Sequence, residues 1–384
     1  MSVVVSQRPL HQRALRWFDG YDRPFLAVVG VLLLLGLVIM YSAAQSEMDR
    51  FYSQLRNVAA ALVVMLAVSQ INPQTMRRFA VPAYVIGVLL LVAVELFGIT
   101  RKGSTRWLNV GMVIQPSEMM KIAMPLMLAW WFQLREGKMR ALDFAVAGLI
   151  LAVPVALIVK QPDLGTSLLV LASGLFVIYF AGLSWRLIIP PVALVVIGIV
   201  VLVVMESSWC QPGVDWVVLH DYQKQRVCTL LDPTKDPLGS GFHIIQGIIA
   251  IGAGGIMGQG WLQGSQTQLE FVPEHTTDFI FTAFAEEFGM VGVWIMLALY
   301  AYLILRGLWI AAQGSTLFAR LLGAAMALIF FVYAFVNIAM VSGLLPVVGV
   351  PLPLISYGGT ALVTLGMAVG ILMSIARTRQ LVQS

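Results

Sequence analysis

The chain has 384 residues, of which 59% are hydrophobic and only 11% are charged, whereas soluble proteins contain about 25% charged residues. Its mean hydropathy of +0.88 excludes a water-soluble globular protein. The 24 Lys and Arg residues outnumber the 19 Asp and Glu residues, but they lie between apolar runs, so we expect no nucleic-acid partner.

Ten apolar stretches are each long enough to cross a hydrocarbon core about 30 Å thick, which takes roughly 20 helical residues. We therefore predict an all-α fold: a polytopic helical membrane protein that forms one integral membrane domain over residues 1–384. The predicted spans are residues 24–43, 53–70, 79–98, 117–134, 143–159, 164–181, 186–205, 278–305, 317–341 and 352–375.

Ten spans place both chain termini on the same side of the membrane. Of the 24 Lys and Arg residues, 14 fall on that side, and the positive-inside rule assigns it to the cytoplasm. The N-terminal residues 1–23 and the C-terminal residues 376–384 are thus predicted to be cytoplasmic. Residues 206–277, between spans seven and eight, are predicted to form a long extracytoplasmic loop.

This long loop has two unusual features. Residues 242–262 are apolar and are predicted to dip into the membrane surface, and six glycines between positions 252 and 264 indicate a close backbone approach or a re-entrant bend. Cys210 and Cys228, the two cysteines of the chain, both lie in this loop. They form a disulfide if the loop faces an oxidising compartment, or remain two unpaired thiols, and the sequence leaves both readings open.

Ionisable side chains at the outer ends of spans are functional candidates, because charges at membrane depth are costly. Glu118 and Lys121 lie three residues apart at the start of span four and share a helix face, so they form either part of a site or a structural ion pair. Asp163, before span six, is either a site acid or a helix N-cap.

A cationic cluster without acids lies between spans three and four, at Arg101, Lys102 and Arg106. It either holds an anionic headgroup or is simply tolerated by a short loop. Arg56, near the outer end of span two, either extends to the membrane interface or reaches an acid in a cavity.

Span eight carries three acids. On an ideal helix, Glu286 is about 80° round from Asp278, so both can address one cavity, while Glu287 lies nearly opposite and is predicted to meet another helix. Before span ten, two prolines and a glycine pair in residues 349–360 break the helix, and this segment is predicted to shape a cavity wall.

These stretches resemble the SEDS family (shape, elongation, division and sporulation), the polytopic peptidoglycan polymerases. The resemblance lies in residues 114–121, 161–169, 226–245, 260–281 and 351–359. Residues 242–246 and 260–271 favour the branch that acts in cell elongation over the division branch. One departure is that the family usually shows Glu-Arg-His-Thr-Asp or a near variant, whereas this chain reads Glu274-His275-Thr276-Thr277-Asp278, with a histidine in place of the arginine.

The resemblance implies a peptidoglycan glycosyltransferase of the bacterial cytoplasmic (inner) membrane that serves cell elongation and rod shape. It would join lipid II to a growing glycan strand on the outer face, with loss of undecaprenyl diphosphate. Asp278 would be the catalytic base, assisted by Glu286 or Asp163, and a divalent cation, Mg²⁺ or Mn²⁺, would bridge Asp278 and phosphate. The candidates for substrate contact are Lys121, Glu118, Arg101, Lys102, Arg106, Arg56 and Glu274.

The implied partners are lipid II, the nascent glycan strand, membrane lipids, a class B penicillin-binding protein (a transpeptidase) and other membrane proteins of the elongation complex. Two alternatives stay open beside this function. Intramembrane acids and broken helices also suit a transporter that moves lipid II across the bilayer without forming bonds. The second alternative is a division-specific polymerase of the same family.

Overall fold

The computed structural model describes residues 20–45, 47–101, 104–109, 111, 113–204, 210, 221–233, 241–269 and 274–383. Within these ranges ten helices of 17 or more residues coincide with the ten predicted spans. Seven of these helices are long and apolar enough to cross a membrane by length and composition. The predicted helical membrane fold is confirmed.

The elements up to the long loop are α1 (Arg23–Ala43), α2 (Met48–Ser69), α3 (Pro73–Phe97), β1 (Ile99–Arg101), β2 (Ser104–Asn109), β3 (Val113–Ile114), α4 (Pro116–Leu134), α5 (Ala141–Lys160), α6 (Leu164–Phe180) and α7 (Trp185–Val204). The loop contains α8 (Asp221–Leu231), α9 (Phe242–Ala253) and α10 (Ser265–Gln268). The last three helices are α11 (Ile280–Ala312), α12 (Leu317–Val341) and α13 (Gly359–Gln383).

Two helices begin later than predicted. Helix α11 begins at Ile280 rather than at residue 278, and α13 begins at Gly359 rather than at residue 352. Pro351 and Pro353 lack the backbone N–H that a helix needs, and each restricts the residue before it. Residues 349–358 therefore form a non-helical segment, which we call the entry segment, in front of α13.

A small antiparallel sheet connects α3 to α4, which the sequence analysis did not predict. Its strands follow the order β1-β2-β3, with Ile99 opposite Trp107 and Leu108 opposite Ile114. Strand β2 packs against both flanking helices. The sheet therefore fixes the position of Arg106 above the helix ends.

Helices α12 and α4 form the centre of the bundle. Helix α12 packs against α4, α6, α11 and α13, and 78% of its most apolar 18-residue window is buried inside the protein. Alanine and glycine at residues 323–325 and 327 give this helix a narrow face, and small residues let membrane helices approach closely. Tyr333 and Asn337, two polar side chains in the second half of α12, are accordingly buried inside the protein.

Polar contacts join the helix ends near the first and last described residues of the chain. Arg306 Nε and Nη2 donate to the two carboxylate oxygens of Asp22 at 3.1 and 2.8 Å. The Tyr21 hydroxyl lies 2.5 Å from that of Ser69, and Arg377 on α13 donates to the side chain of Gln70. Both ends of the described chain thus lie at one end of the bundle, and the candidate site residues lie at the other.

Helix α11 is interrupted at Gly289, where φ is 62° and ψ is −166°. The break removes the helical hydrogen bonds from residues 290 and 291 to residues 286 and 287. Residues 252–264, which we call the glycine-rich loop, supply the missing partners. The amides of residues 259 and 260 donate to the carbonyls of residues 286 and 287, and the amides of residues 290 and 291 donate to the carbonyls of residues 255 and 256, all at 3.0–3.1 Å. The predicted close backbone approach of this loop is confirmed.

Cys210 and Cys228 form a disulfide with a Cα–Cα distance of 5.6 Å. The bridge decides between the two alternatives that the sequence left open. It ties α8 to the stretch that follows α7, and proteins keep such bridges in oxidising compartments.

We expect Gly289→Ala to destabilise the protein. A Cβ at this position would lie 2.2 Å from the amide nitrogen of Gly258, and the backbone conformation is one that essentially only glycine adopts. The matched control is Gly148→Ala in α5, where a Cβ would meet no atom within 4 Å. Thermal unfolding in detergent should show a large loss for Gly289→Ala alone, and equal melting of the two variants would contradict the structural role of the break.

Candidate functional site

The segment before α11 carries Asp278 and is held through its backbone. The carbonyls of three consecutive residues, 276–278, which we call the 276–278 turn, each accept a hydrogen bond from another part of the protein. The Tyr357 amide donates to the first at 3.0 Å, the Ser356 hydroxyl to the second at 2.7 Å and the Asn337 side-chain amide to the third at 2.7 Å. This turn is therefore anchored to both the entry segment and α12.

The hairpin of α1 and α2 holds the same region from the other side. His275 Nε2 donates to the Ala43 carbonyl at 3.0 Å, and Arg50 Nη1 donates to the Thr276 hydroxyl at 3.0 Å. The buried Gln54 donates to the Ser356 carbonyl at 3.0 Å. The sequence has His275 where the similar family usually has an arginine. The Arg50 guanidinium of α2 nevertheless reaches the 276–278 turn.

Asp278 is partly exposed, and its carboxylate lies beside the entry segment. A Cβ added to Gly349 would lie 3.3 Å from Asp278 Oδ2, and Gly349 has a φ of +71°. Glycine at this position therefore leaves room beside the carboxylate. Because Asp278 precedes the first residue of α11, the predicted helical angle between Asp278 and Glu286 is wrong.

Glu286 is fully buried and its carboxylate holds the start of α10. It accepts hydrogen bonds from the Gln266 amide at 2.7 Å, from the amide and hydroxyl of Thr267 at 3.1 and 2.8 Å, and from the Ser265 hydroxyl at 3.4 Å. Acceptance of backbone amides at a helix start is a structural use of a carboxylate.

Glu287 accepts a hydrogen bond from the Ser42 hydroxyl of α1. It is 1% exposed. The prediction that Glu287 meets another helix is confirmed.

Asp163 caps α6 and joins a small polar cluster. Its Oδ1 accepts from the Thr166 amide at 3.3 Å and lies 3.4 Å from Arg106 Nη1, while its Oδ2 accepts from Gln115 Nε2 at 2.9 Å. Arg106 also donates to the Pro162 carbonyl at 2.7 Å, and 21% of its side chain is exposed. Asp163 is thus an N-cap and, at the same time, an ion-pair partner of the only predicted loop cation whose side chain lies within the described residues.

Lys121 forms a buried ion pair with Glu118. Its Nζ lies 2.5 Å from Glu118 Oε1 and 2.6 Å from the Tyr333 hydroxyl, and the side chain is only 2% exposed. The second Glu118 oxygen lies 3.4 Å from the Thr364 hydroxyl of α13. The pair therefore joins three helices.

The cluster around Asp163 and the Glu118–Lys121 pair both lie near the 276–278 turn. Tyr333 and Asn337 are four residues apart on α12, which is about 40° round the axis and about 6 Å along it. Helix α6 starts against the same region, because a Cβ at Gly165 would lie 2.6 Å from the Val348 carbonyl. The structure thus brings Asp278, Asp163, Arg106, Glu118 and Lys121 to one end of the bundle.

The remaining predicted site residues lie at the margin of this cluster or outside the described residues. Arg56 is exposed and donates to Ser53 on its own helix at 2.9 Å, and Glu274 is exposed and accepts from the Thr277 hydroxyl at 2.9 Å. The Arg101 side chain and all of Lys102 lie outside the described residues.

The described part of the chain contains no group of three His, Cys, Asp or Glu side chains that could hold a metal ion. A closed protein site for a divalent cation is therefore not formed by these residues. Mg²⁺, however, is commonly held by one or two carboxylates together with substrate phosphates, and the partly exposed Asp278 fits that mode.

Several site residues escaped the sequence analysis. Asn337 and Arg50 contact the 276–278 turn, Tyr333 contacts Lys121, and Gln54 contacts Ser356 of the entry segment. Asn337 and Tyr333 are polar residues on an otherwise largely apolar helix. An isolated amide or hydroxyl in an apolar helix is itself a signal, because a polar group in a membrane must find a partner.

We expect Lys121→Met to reduce accumulation of the folded protein, because loss of one partner of a buried ion pair costs about 3–5 kcal/mol. Replacing both partners, Lys121→Met with Glu118→Leu, should restore accumulation. Quantitative immunoblots and thermal unfolding in detergent measure both effects. If Lys121→Met alone is as stable as the wild type, the Glu118 carboxylate does not need the Lys121 ammonium group for the protein to be stable.

A family model of cell cycle proteins, comprising FtsW, RodA and SpoVE, matches residues 23–381. The chain is 48% identical over 361 residues to peptidoglycan glycosyltransferase MrdB of Escherichia coli K12, and the match covers 94% of each chain. It is 34% identical to the probable peptidoglycan glycosyltransferase FtsW of Geobacter metallireducens, over 94% of this chain and 96% of the relative.

Solved structures are similar over the same length. A chain of a peptidoglycan synthase complex that coordinates polymerization and crosslinking matches with a TM-score of 0.77 and 30% identity, over 94% of this chain and 98% of the other. The rod shape determining protein RodA of Thermus thermophilus matches with a TM-score of 0.68 and 26% identity, over 95% and 99% of the two chains. The predicted resemblance is confirmed, and the chain belongs to the family of FtsW, RodA and SpoVE, the SEDS proteins.

Proposed function

We propose that this protein is a peptidoglycan glycosyltransferase that polymerises lipid II into glycan strands for cell elongation. The observation that carries the proposal is its 48% identity, over 94% of both chains, to a peptidoglycan glycosyltransferase. The arrangement of charged groups at one end of the bundle supports the same activity, because glycosyl transfer needs a base for the acceptor and cations for the leaving group.

Asp278 is the proposed base. In the reaction, an acceptor hydroxyl oxygen bonds to the anomeric carbon of the donor, the bond from that carbon to the diphosphate oxygen breaks, and undecaprenyl diphosphate leaves. The hydroxyl proton passes to the Asp278 carboxylate. Asp278 is partly exposed, whereas Glu286 and Asp163 are only 0% and 3% exposed, so a substrate hydroxyl reaches Asp278 most directly. Glu286 and Asp163 then assist by shaping the site.

The diphosphate is proposed to meet Arg106 first. Arg106 is the more exposed of the two cations in the cluster, and a guanidinium matches phosphate oxygens in a fork geometry. Lys121 lies behind it, held by Glu118 and Tyr333, and contributes positive potential from a buried position. Asp278 would hold a divalent cation, which would supply further charge neutralisation for the leaving diphosphate.

Catalysis is proposed at the outer face of the cytoplasmic membrane, with both termini in the cytoplasm. The count of basic residues supports this orientation, and the Cys210–Cys228 disulfide suits an oxidising compartment. The site residues lie at the bundle end that this orientation turns outward.

A class B penicillin-binding protein is the proposed partner, together with other elongation-complex proteins of the membrane. The support is the similar fold of a chain in a complex that couples polymerization and crosslinking. An apolar groove of about 310 Å³ between α11 and α12, lined by Phe331, Phe335 and Leu344 among others, is a lipid-facing surface suited to a single membrane span.

Asp278→Asn is expected to abolish glycan polymerisation while accumulation stays normal. The amide keeps the shape of the side chain but takes up no proton, and a positioned base contributes about 10²- to 10⁴-fold in rate. Gel analysis of strands made from labelled lipid II measures the loss. Asp49→Asn, the same change at an exposed position of the first turn of α2, serves as the control.

Strand synthesis at the normal rate by Asp278→Asn would remove the base assignment. If the wild-type protein makes no strands but moves labelled lipid II across vesicle membranes, the transporter alternative is correct and the enzyme proposal is wrong.

The orientation is tested with cysteines placed at the two ends of the bundle. Gln263→Cys in the glycine-rich loop should react with an impermeant thiol reagent in intact spheroplasts, whereas Lys138→Cys, between α4 and α5, should react only after permeabilisation. The native cysteines form a disulfide and should label only after reduction. The opposite labelling pattern would reverse the proposed orientation and the side of catalysis.

A further inference from the structure

Asn337 lies on α12, one turn from the end of the helix, and is 0% exposed. Among the described donors to the 276–278 turn, the Asn337 side chain comes from the central membrane helix α12. An amide buried in such a helix is unfavourable unless it is hydrogen-bonded, so its partners indicate what it does.

The orientation of the Asn337 amide is determined by its neighbours. Its nitrogen lies 2.7 Å from the Asp278 carbonyl oxygen and 2.7 Å from the Val350 carbonyl oxygen. Carbonyl oxygens only accept hydrogen bonds, so the group between them must be the NH₂ and both of its protons are used. Neither carbonyl belongs to a helix or a strand.

One NH₂ group therefore ties the backbone of Asp278 to the backbone of the entry segment. The residue before Val350 is Gly349, the glycine that faces the Asp278 carboxylate. The amide thus fixes the distance between the carboxylate and the wall beside it. One turn earlier on α12, Tyr333 contacts Lys121, so the same helix face also sets the position of the buried cation.

We propose that Asn337 is a positioning residue that orients the Asp278 carboxylate for proton transfer by holding the Asp278 and Val350 carbonyls together. This inference rests on the proposed function, in which Asp278 is the base. Asn337 contacts the backbone of Asp278 and not the reacting atoms. It acts on turnover, because a misplacement of about 1 Å at a reacting group reduces a rate by about 100-fold.

The test uses Asn337→Asp and Asn337→Ala. Aspartate keeps the shape of the side chain but offers at most one proton for two carbonyls, and alanine offers none. Both variants should bind fluorescent lipid II with the wild-type stoichiometry and a similar KM, while kcat for each binding-competent molecule falls by about 10- to 100-fold. Alanine should be the more severe.

The matched control is Ser173→Ala in α6. Ser173 is 0% exposed, and its hydroxyl donates to the Val170 carbonyl of its own helix at 2.9 Å. This variant removes a buried hydrogen bond but leaves the contacts of the 276–278 turn intact, so its kcat should stay at the wild-type value.

Three outcomes would overturn the inference. The first is a normal kcat in both Asn337 variants while Asp278→Asn is inactive, which would leave the proposed function intact. The second is a loss of activity that matches the loss of lipid II binding sites, which would make Asn337 a residue of the fold alone. The third is failure of both variants to bind lipid II at all, which has the same meaning. Normal activity in Asp278→Asn would instead remove the proposed base itself.

Discussion

A membrane protein must satisfy every backbone polar group that it places away from water, and the candidate site depends on this constraint. The carbonyls of the 276–278 turn lie outside any helix or strand, beside the buried start of α11. They are stabilised because the entry segment and α12 supply three donors to three consecutive oxygens. The donors also determine where the Asp278 carboxylate lies, so the requirement that stabilises the backbone simultaneously positions the side chain.

The same constraint explains why three acids near one helix start have different surroundings. The break at Gly289 needs partners for four backbone groups, and the glycine-rich loop supplies them. Glu286 then holds the far end of that loop by accepting amides at α10, and Glu287 accepts from α1. The carboxylates of Glu286 and Glu287 therefore join α11 to α10 and to α1. Asp278 lies before the helix, and it alone of the three is partly exposed.

Hydropathy was sufficient to locate the ten spans, because each needs about 20 apolar residues whatever its neighbours are. The cost of charges at membrane depth singled out Asp278, Asp163, Glu118 and Lys121, and the family resemblance implied their roles. The angle between Asp278 and Glu286 was wrong because it assumed a helix that begins only at Ile280. Asn337 and Gln54 could not be placed from the sequence, since their partners are 59 and 302 residues away and no periodic pattern records such contacts.

Charge balance explains why the sequence left structural and functional readings open at the same residues. Lys121 is paired with Glu118 and Arg106 with Asp163, so each cation of the cluster has an anion beside it. A buried charge is stable only with such a partner and with further hydrogen bonds, which Tyr333 and Gln115 provide. The pairs that allow charges to remain near the membrane are therefore also the groups that a charged substrate would meet. An ion pair at this position is consequently no argument against a role in catalysis, and the single and paired substitutions separate the two contributions.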